Sequence, residues 1–309
     1  MKRKFNLGLG LFLLFIFFTV INSLFFLVKY IMLEMEAEQY IQEEVYVEKE
    51  VKATQNVAIV VTPSVVPVKK SKNKGKPKKI AIVINDLGAR TVRYYLLDLM
   101  ENKLNLAIIP GEMHSVDMIK FYKMKSNYEL IMHMPMGFYN TDEDKESPGH
   151  KREAYKYFIQ NRDNKKTINK KLDDAYNVLL AAGGVVGINN HMGSYVTSSR
   201  DMVNPIVKWA KRKQLYVLDS LSAPSSLLYE QARKTKVKAA YNQVFLDSID
   251  DPEEIKKQLA QVEKIADSDG QVIAIGHIGK QYTMEVLFEW MPQAVERGYT
   301  FVFVSELVQ

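Results

Sequence analysis

The sequence predicts an α/β protein. Its main domain, residues 80–309, is expected to fold as a distorted (β/α)7–8 barrel preceded by one N-terminal transmembrane helix. Three observations carry this. After Ile80, short apolar runs alternate with segments of helical period. The runs are continuous instead of alternating apolar and polar, which marks strands covered on both faces and so a parallel sheet. Seven or eight such units in about 230 residues suit a barrel better than an open doubly wound sheet.

The elements follow in chain order. Residues 1–4 carry Lys2, Arg3 and Lys4, and residues 5–28 hold no charge and are long enough to cross a bilayer. A cleaved signal peptide has a shorter apolar core and a small-residue cleavage site, so an uncleaved signal anchor is expected. Lys29 is followed by Glu34, Glu36 and Glu38, which places the N-terminus inside and all that follows outside. Residues 29–79 read as a polar, Lys-rich stalk. Seven lysines fall between Lys69 and Lys79, which exceeds the whole chain's net charge of +6. No aromatics interleave with them, so the block reads as a solvated linker and no nucleic-acid partner is expected.

Within 80–309 the strand candidates are IAIVI (80–84), LNLAII (104–109), ELIMH (129–133), VVGIN (185–189), LYVLD (215–219), VFLD (244–247), QVIAIGH (271–277) and TFVFV (300–304). The clearest helix lies between Asp251 and Gly270: Asp251 caps it, Pro252 opens it, Glu254 completes a capping box and Gly270 ends it. A second runs from Thr167, with Ile168, Leu172, Tyr176 and Leu179 on one stripe and Gly183 as terminator.

Polar residues gather where these strands end. His133, His191 and His277 follow apolar runs at once or within a few residues, as do Asn85-Asp86, Asp219-Ser220 and Asp247-Ser248. In a barrel or a doubly wound sheet such positions face the carboxyl rim, where reaction sites are built. The chain has no cysteine, so disulfides and thiolate chemistry are excluded and any metal ligands are His, Asp or Glu. An Asp with two neutral imidazoles would leave a position for water on a divalent ion. His114 and His150 stand apart, the second inside the charged insertion 137–153. The stretch GINNHMGSYVTSS supplies Asn189, Asn190 and Ser194, whose amides and hydroxyl, with Ser220, could orient a sugar or an oxyanion. Phosphate-binding, dinucleotide-binding and serine-hydrolase signatures are missing from the soluble part.

IAIVINDLG, ELIMHMPM, VVGINNHMGS, LYVLDS, VFLDS and VIAIGHI, in that order, resemble the divergent polysaccharide deacetylases, a branch of the NodB-like carbohydrate esterases. The resemblance covers nearly all of residues 80–309. It implies a distorted β/α barrel and a divalent metal, zinc by default, held by Asp86, His133 and His191. It also implies His277 as general acid, and an N-acetylated polysaccharide or peptidoglycan as substrate. With the N-terminal span it implies a catalytic domain outside the bacterial inner membrane, in the periplasm. The departure is Asn85, where members of the family usually carry a second Asp that acts as base. An amide cannot accept that proton. Asp219 or Asp247 could replace it if either lies within reach. Two readings follow: a metal-dependent deacetylase, or an impaired relative that keeps the groove to bind glycan or an envelope protein.

Overall fold

The computed structural model describes residues 78–89, 94–139 and 156–309. The expected span 5–28, residues 1–4, nearly all of the stalk and most of the 137–153 insertion lie outside the described residues. Among the described residues no helix is long and apolar enough to cross a membrane.

Nine strands form one sheet: β1 (Lys78–Leu87), β2 (Leu104–Ile108), β3 (Tyr128–Met136), β4 (Gly187–Met192), β5 (Tyr216–Asp219), β6 (Ala239–Tyr241), β7 (Val244–Phe245), β8 (Gln271–His277) and β9 (Tyr299–Phe301). Helices α1 (Tyr94–Leu99), α2 (Ser115–Tyr122), α3 (Lys165–Ala181), α4 (Ser194–Ser198), α5 (Arg200–Lys213), α6 (Leu228–Lys234), α7 (Pro252–Asp269) and α8 (Thr283–Glu296) fill most of the connections. The strand order is β6-β5-β4-β3-β2-β1-β8-β7, with β9 also on β1. All pairings are parallel.

The expected seven- or eight-unit barrel therefore needs a correction. β6 and β7 end the path without pairing to each other, so the sheet is a half-barrel. The C-terminal segment covers part of the gap. β9 lies on β1, and Gln309 exchanges two backbone hydrogen bonds with Ala239 of β6. Two strands were read too long: VFLD pairs only over Val244–Phe245, and TFVFV leaves the sheet after Phe301 to enter a short 3-10 turn. β6 was missed, because three residues are too few to show a period.

Period-2 alternation sorts β1 into two faces. Ile80, Ile82 and Ile84 join the large core under the helices. Ala81 and Val83 join a second cluster with Ala107, Ile131, Leu218, Ile273, Ile275 and the C-terminal Val302 and Val304. Strands apolar on both sides need both covers, and each fully buried Ile or Leu contributes about 1.5–3 kcal/mol.

The helices obey their signals. Asp251 Oδ1 accepts from the N–H of Glu253 and Glu254 at 2.9 and 3.1 Å, Pro252 opens α7, and Gly270 ends it with φ at 82°. Glu254 spends its carboxylate on Lys257 at 2.6 Å, so the cap is one-sided. In α3, which starts at an Asn164 cap, Ile168, Leu172, Ala175 and Leu179 form the buried stripe. Tyr176 sits at its margin, edge-on to Trp209.

Candidate metal centre

The second, smaller cluster ends in polar residues of the same register. In β1 the face of Ala81 and Val83 continues to Asn85, in β3 that of Ile131 to His133, and in β8 that of Ile273 and Ile275 to His277. Backbone pairing then sets neighbours: Asn85 lies opposite His277, and His133 opposite Asn189.

Asp86 should point to the opposite face from Asn85, yet its carboxylate reaches the same group of residues. The cause is local. Asp86 adopts φ of 66°, and the pairing of β1 with β2 shifts register between Ile84 and Leu87. A left-handed residue costs about 1–2 kcal/mol, and Asp tolerates it better than most. A similar break follows His191, where Met192 (φ 53°) and Gly193 (φ 88°) turn the chain into α4. A Cβ on Gly193 would lie 2.9 Å from that of Met136, so the turn leaves no space for a side chain.

These turns bring three groups together. Asp86 Oδ1 lies 3.0 Å from His133 Nε2 and 2.9 Å from His191 Nδ1, and the two ring nitrogens are 3.2 Å apart. Their ligand atoms all lie within 4.8 Å of one another, the one such group of three among the described residues. His133 is 1% exposed, and His191 and Asp86 are partly open. On its far side His133 Nδ1 lies 2.8 Å from Asn189 Oδ1; with the ring proton on Nδ1, Nε2 would present a lone pair to an ion. Two imidazole nitrogens and a carboxylate converging in this way need a cation or a proton between them. The donor set therefore fits a divalent ion, with its open side toward His191.

Burial opposes the ionisation of Asp86, but the charge of His191 and the short contacts of both imidazoles outweigh it and hold the carboxyl well below its usual range. Burial pushes His133 the other way, below the ordinary histidine value despite its contact with Asp86.

A second pair adjoins the first. His277 Nδ1 donates to Asp247 Oδ1 at 2.8 Å, and its backbone N–H donates to Oδ2 at 2.6 Å. Thr283 Oγ1 donates to the same Oδ2 at 2.6 Å, and the Phe245 ring stacks on the imidazole. Burial alone would lower the His277 pKa. The charge and hydrogen bond of Asp247 more than reverse this and raise it to about 9.

Not every expected site residue joins. Asp219 is fully buried and accepts from Leu221 N at 2.9 Å, Ser226 Oγ at 2.7 Å and Tyr229 N at 3.0 Å. It anchors the loop after β5 and has no free oxygen for a base's work. Asp247 is committed to His277 and is likewise no substitute for the missing carboxylate. Asn190 and Ser220 clamp β4 to the loop after β5: Ser220 N donates to Asn190 Oδ1, Ser220 Oγ to Asn190 O, and Asn190 Nδ2 to Met192 O and Ser222 Oγ. Both are buried and neither offers a polar group to a sugar. Asn189 is fully buried, between His133 and Asn85. Ser194 accepts from Tyr139 N at 3.1 Å and stays partly open, at the start of α4. Asn85 is 2% exposed and accepts from Asn189 Nδ2 at 3.0 Å. Sequence reasoning missed Thr283 and Phe245; a Thr at a helix start and an aromatic in a strand carry no local signal of a histidine partner.

A sequence model of the divergent polysaccharide deacetylases matches residues 82–308, and the chain belongs to that family. An uncharacterised Escherichia coli protein, YibQ, is 30% identical over 199 residues, 64% of this chain and 58% of that one. An uncharacterised Haemophilus influenzae protein is 25% identical over 199 residues, 64% of this chain and 66% of its own. The chain thus spans less than two thirds of either curated relative. An uncharacterised protein of Agrobacterium tumefaciens has a similar solved structure, with a TM-score of 0.64 at 18% identity, covering 77% of this chain and 92% of that one. That likeness concerns the fold.

Proposed function

We propose that this protein is a metal-dependent amide hydrolase that removes N-acetyl groups from an envelope polysaccharide or peptidoglycan. In this reading residues 5–28 anchor it in the bacterial inner membrane and the domain from Ile80 onward works in the periplasm. The observation that carries the reading is the convergence of Asp86, His133 and His191 beside the Asp247–His277 pair.

A divalent ion, zinc by preference for this donor set, would supply a Lewis acid and a more acidic water. The chain's own residues do the rest. His133, in contact with Asn189, and the partly open His191 would hold the ion with Asp86. With a pKa raised to about 9, His277 is protonated at neutral pH and has a proton at Nε2 for the departing amine. Asp247 stabilises that imidazolium and fixes its ring. Ser194, at the mouth, is the remaining candidate for contact with the sugar.

A second reading has its own observation. Asn85 occupies the position of the expected base and cannot take a proton. In that reading the domain binds glycan, or a protein of the envelope, without turning it over. Acetate release from acetylated oligosaccharides by the zinc-loaded full chain separates the two. Activity lost on His191→Ala supports the hydrolase. An inert parent that becomes active on Asn85→Asp supports the binder.

A further inference from the structure

We propose that Asn189 is a positioning residue, whose single amide sets both the tautomer of His133 and the direction in which Asn85 presents its hydrogen-bonding groups. This rests on the metal-centre reading above and goes beyond its ligand set.

Five contacts are linked. Asp86 Oδ1 and His191 Nδ1 lie 3.0 and 3.2 Å from His133 Nε2. The other ring nitrogen faces Asn189 Oδ1 at 2.8 Å. Asn189 Nδ2 lies 3.0 Å from Asn85 Oδ1 and 3.3 Å from Ser220 Oγ. A neutral imidazole has one donor and one acceptor, and a carboxamide has one oxygen and one N–H2 edge. For Nε2 to offer a lone pair to an ion shared with Asp86 and His191, Nδ1 must hold the proton. The atom of Asn189 facing Nδ1 must then be oxygen. Its N–H2 edge must face Asn85, so Asn85 must turn its oxygen inward.

The consequence lies at position 85. With Oδ1 committed to Asn189, the remaining edge of Asn85 is its N–H2. Position 85 thus offers a donor to a carbonyl or carboxylate oxygen, where an Asp would offer an acceptor to water. An Asp there could keep one oxygen toward Asn189, so the exchange is compatible with the same network. Asn189 is fully buried and its partners lie 56 and 104 residues away along the chain, so the network belongs to the folded sheet.

The test uses the full chain labelled with 15N-histidine, in which only five histidines give signals. Zinc affinity is measured by competition with a chromogenic chelator. The expected result is an Nδ1–H tautomer for His133 in the metal-free wild type, assigned with His133→Gln. Asn189→Leu should mix the tautomers and weaken zinc binding by about 10- to 100-fold. Asn189→Asp restores an acceptor and should keep both the tautomer and the affinity. An Nε2–H tautomer in the wild type overturns the proposal, as does Asn189→Leu with wild-type tautomer and affinity. If Asn189→Leu does not fold, the wild type and Asn189→Asp decide. A wild type that takes up no zinc refutes the hydrolase reading, and the tautomer then decides this proposal alone.

Discussion

Two histidine–carboxylate pairs lie at the same end of the sheet and behave in opposite ways. His133 sits 3.0 Å from Asp86 and its pKa falls; His277 sits 2.8 Å from Asp247 and its pKa rises to about 9. Burial presses both rings toward neutrality. The difference is in how each carboxylate is shared. Asp86 divides one oxygen between two imidazoles, while His133 has a neutral amide behind it. Asp247, fully buried, has one imidazole partner and grips it through both the ring and the backbone N–H. The same two residue types therefore favour a neutral imidazole in one place and a protonated one in the other. Environments that push two titrating groups apart are how one site holds both roles.

The largest expected break in this contrast comes from Asp86→Asn. It should weaken zinc binding by more than the roughly 100-fold that loss of an outer partner costs, measured by chelator competition. It should leave the Asp247–His277 hydrogen bond in place. The reverse experiment is Asp247→Asn. Zinc affinity should stay, the His277 pKa should fall by NMR titration, and acetate release should drop by about 10²–10⁴. That loss is read in whichever background is active, wild type or Asn85→Asp. If zinc affinity and acetate release fell together, the two pairs would not be separable.

A pH dependence of stability sharpens the contrast. The folded His277 pKa, raised to about 9, lies above its ordinary value, so between about pH 6.5 and 9 the native state binds a proton that the unfolded chain has released. The stabilisation is complete below about pH 6.5 and is lost as pH rises through about 9, by up to about 3 kcal/mol. Denaturant unfolding should show this slope in the wild type and a flatter one in His277→Gln. The smallest effect is expected from Gly276→Ala. Its Cβ would meet Thr283 Cγ2 at 2.7 Å and Asp247 Oδ2 at 3.4 Å. It should cost about 1–3 kcal/mol in chemical unfolding and lower the His277 pKa, with zinc binding untouched.

The sequence by itself determined the apolar runs and the polar residues that follow them, which put Asn85, Asp86, His133, His191 and His277 where strands end, on the carboxyl rim. It also determined the Asp251 cap and the Gly270 exit of α7, and membership of the family. The pair of Asp-Ser dipeptides marks where such reading stops. Asp219-Ser220 and Asp247-Ser248 look alike along the chain, yet Asp219 ties down its own loop within ten residues while Asp247 holds a histidine thirty residues on. Asn189 and Asn190 are neighbours, and alternation sends one into the metal network and the other into a loop clamp. The half-barrel, the left-handed Asp86 and the choice of partners were decided only by tertiary structure. Partners are set by strand order and register, and a hydrogen bond across 104 residues leaves no mark on the local sequence.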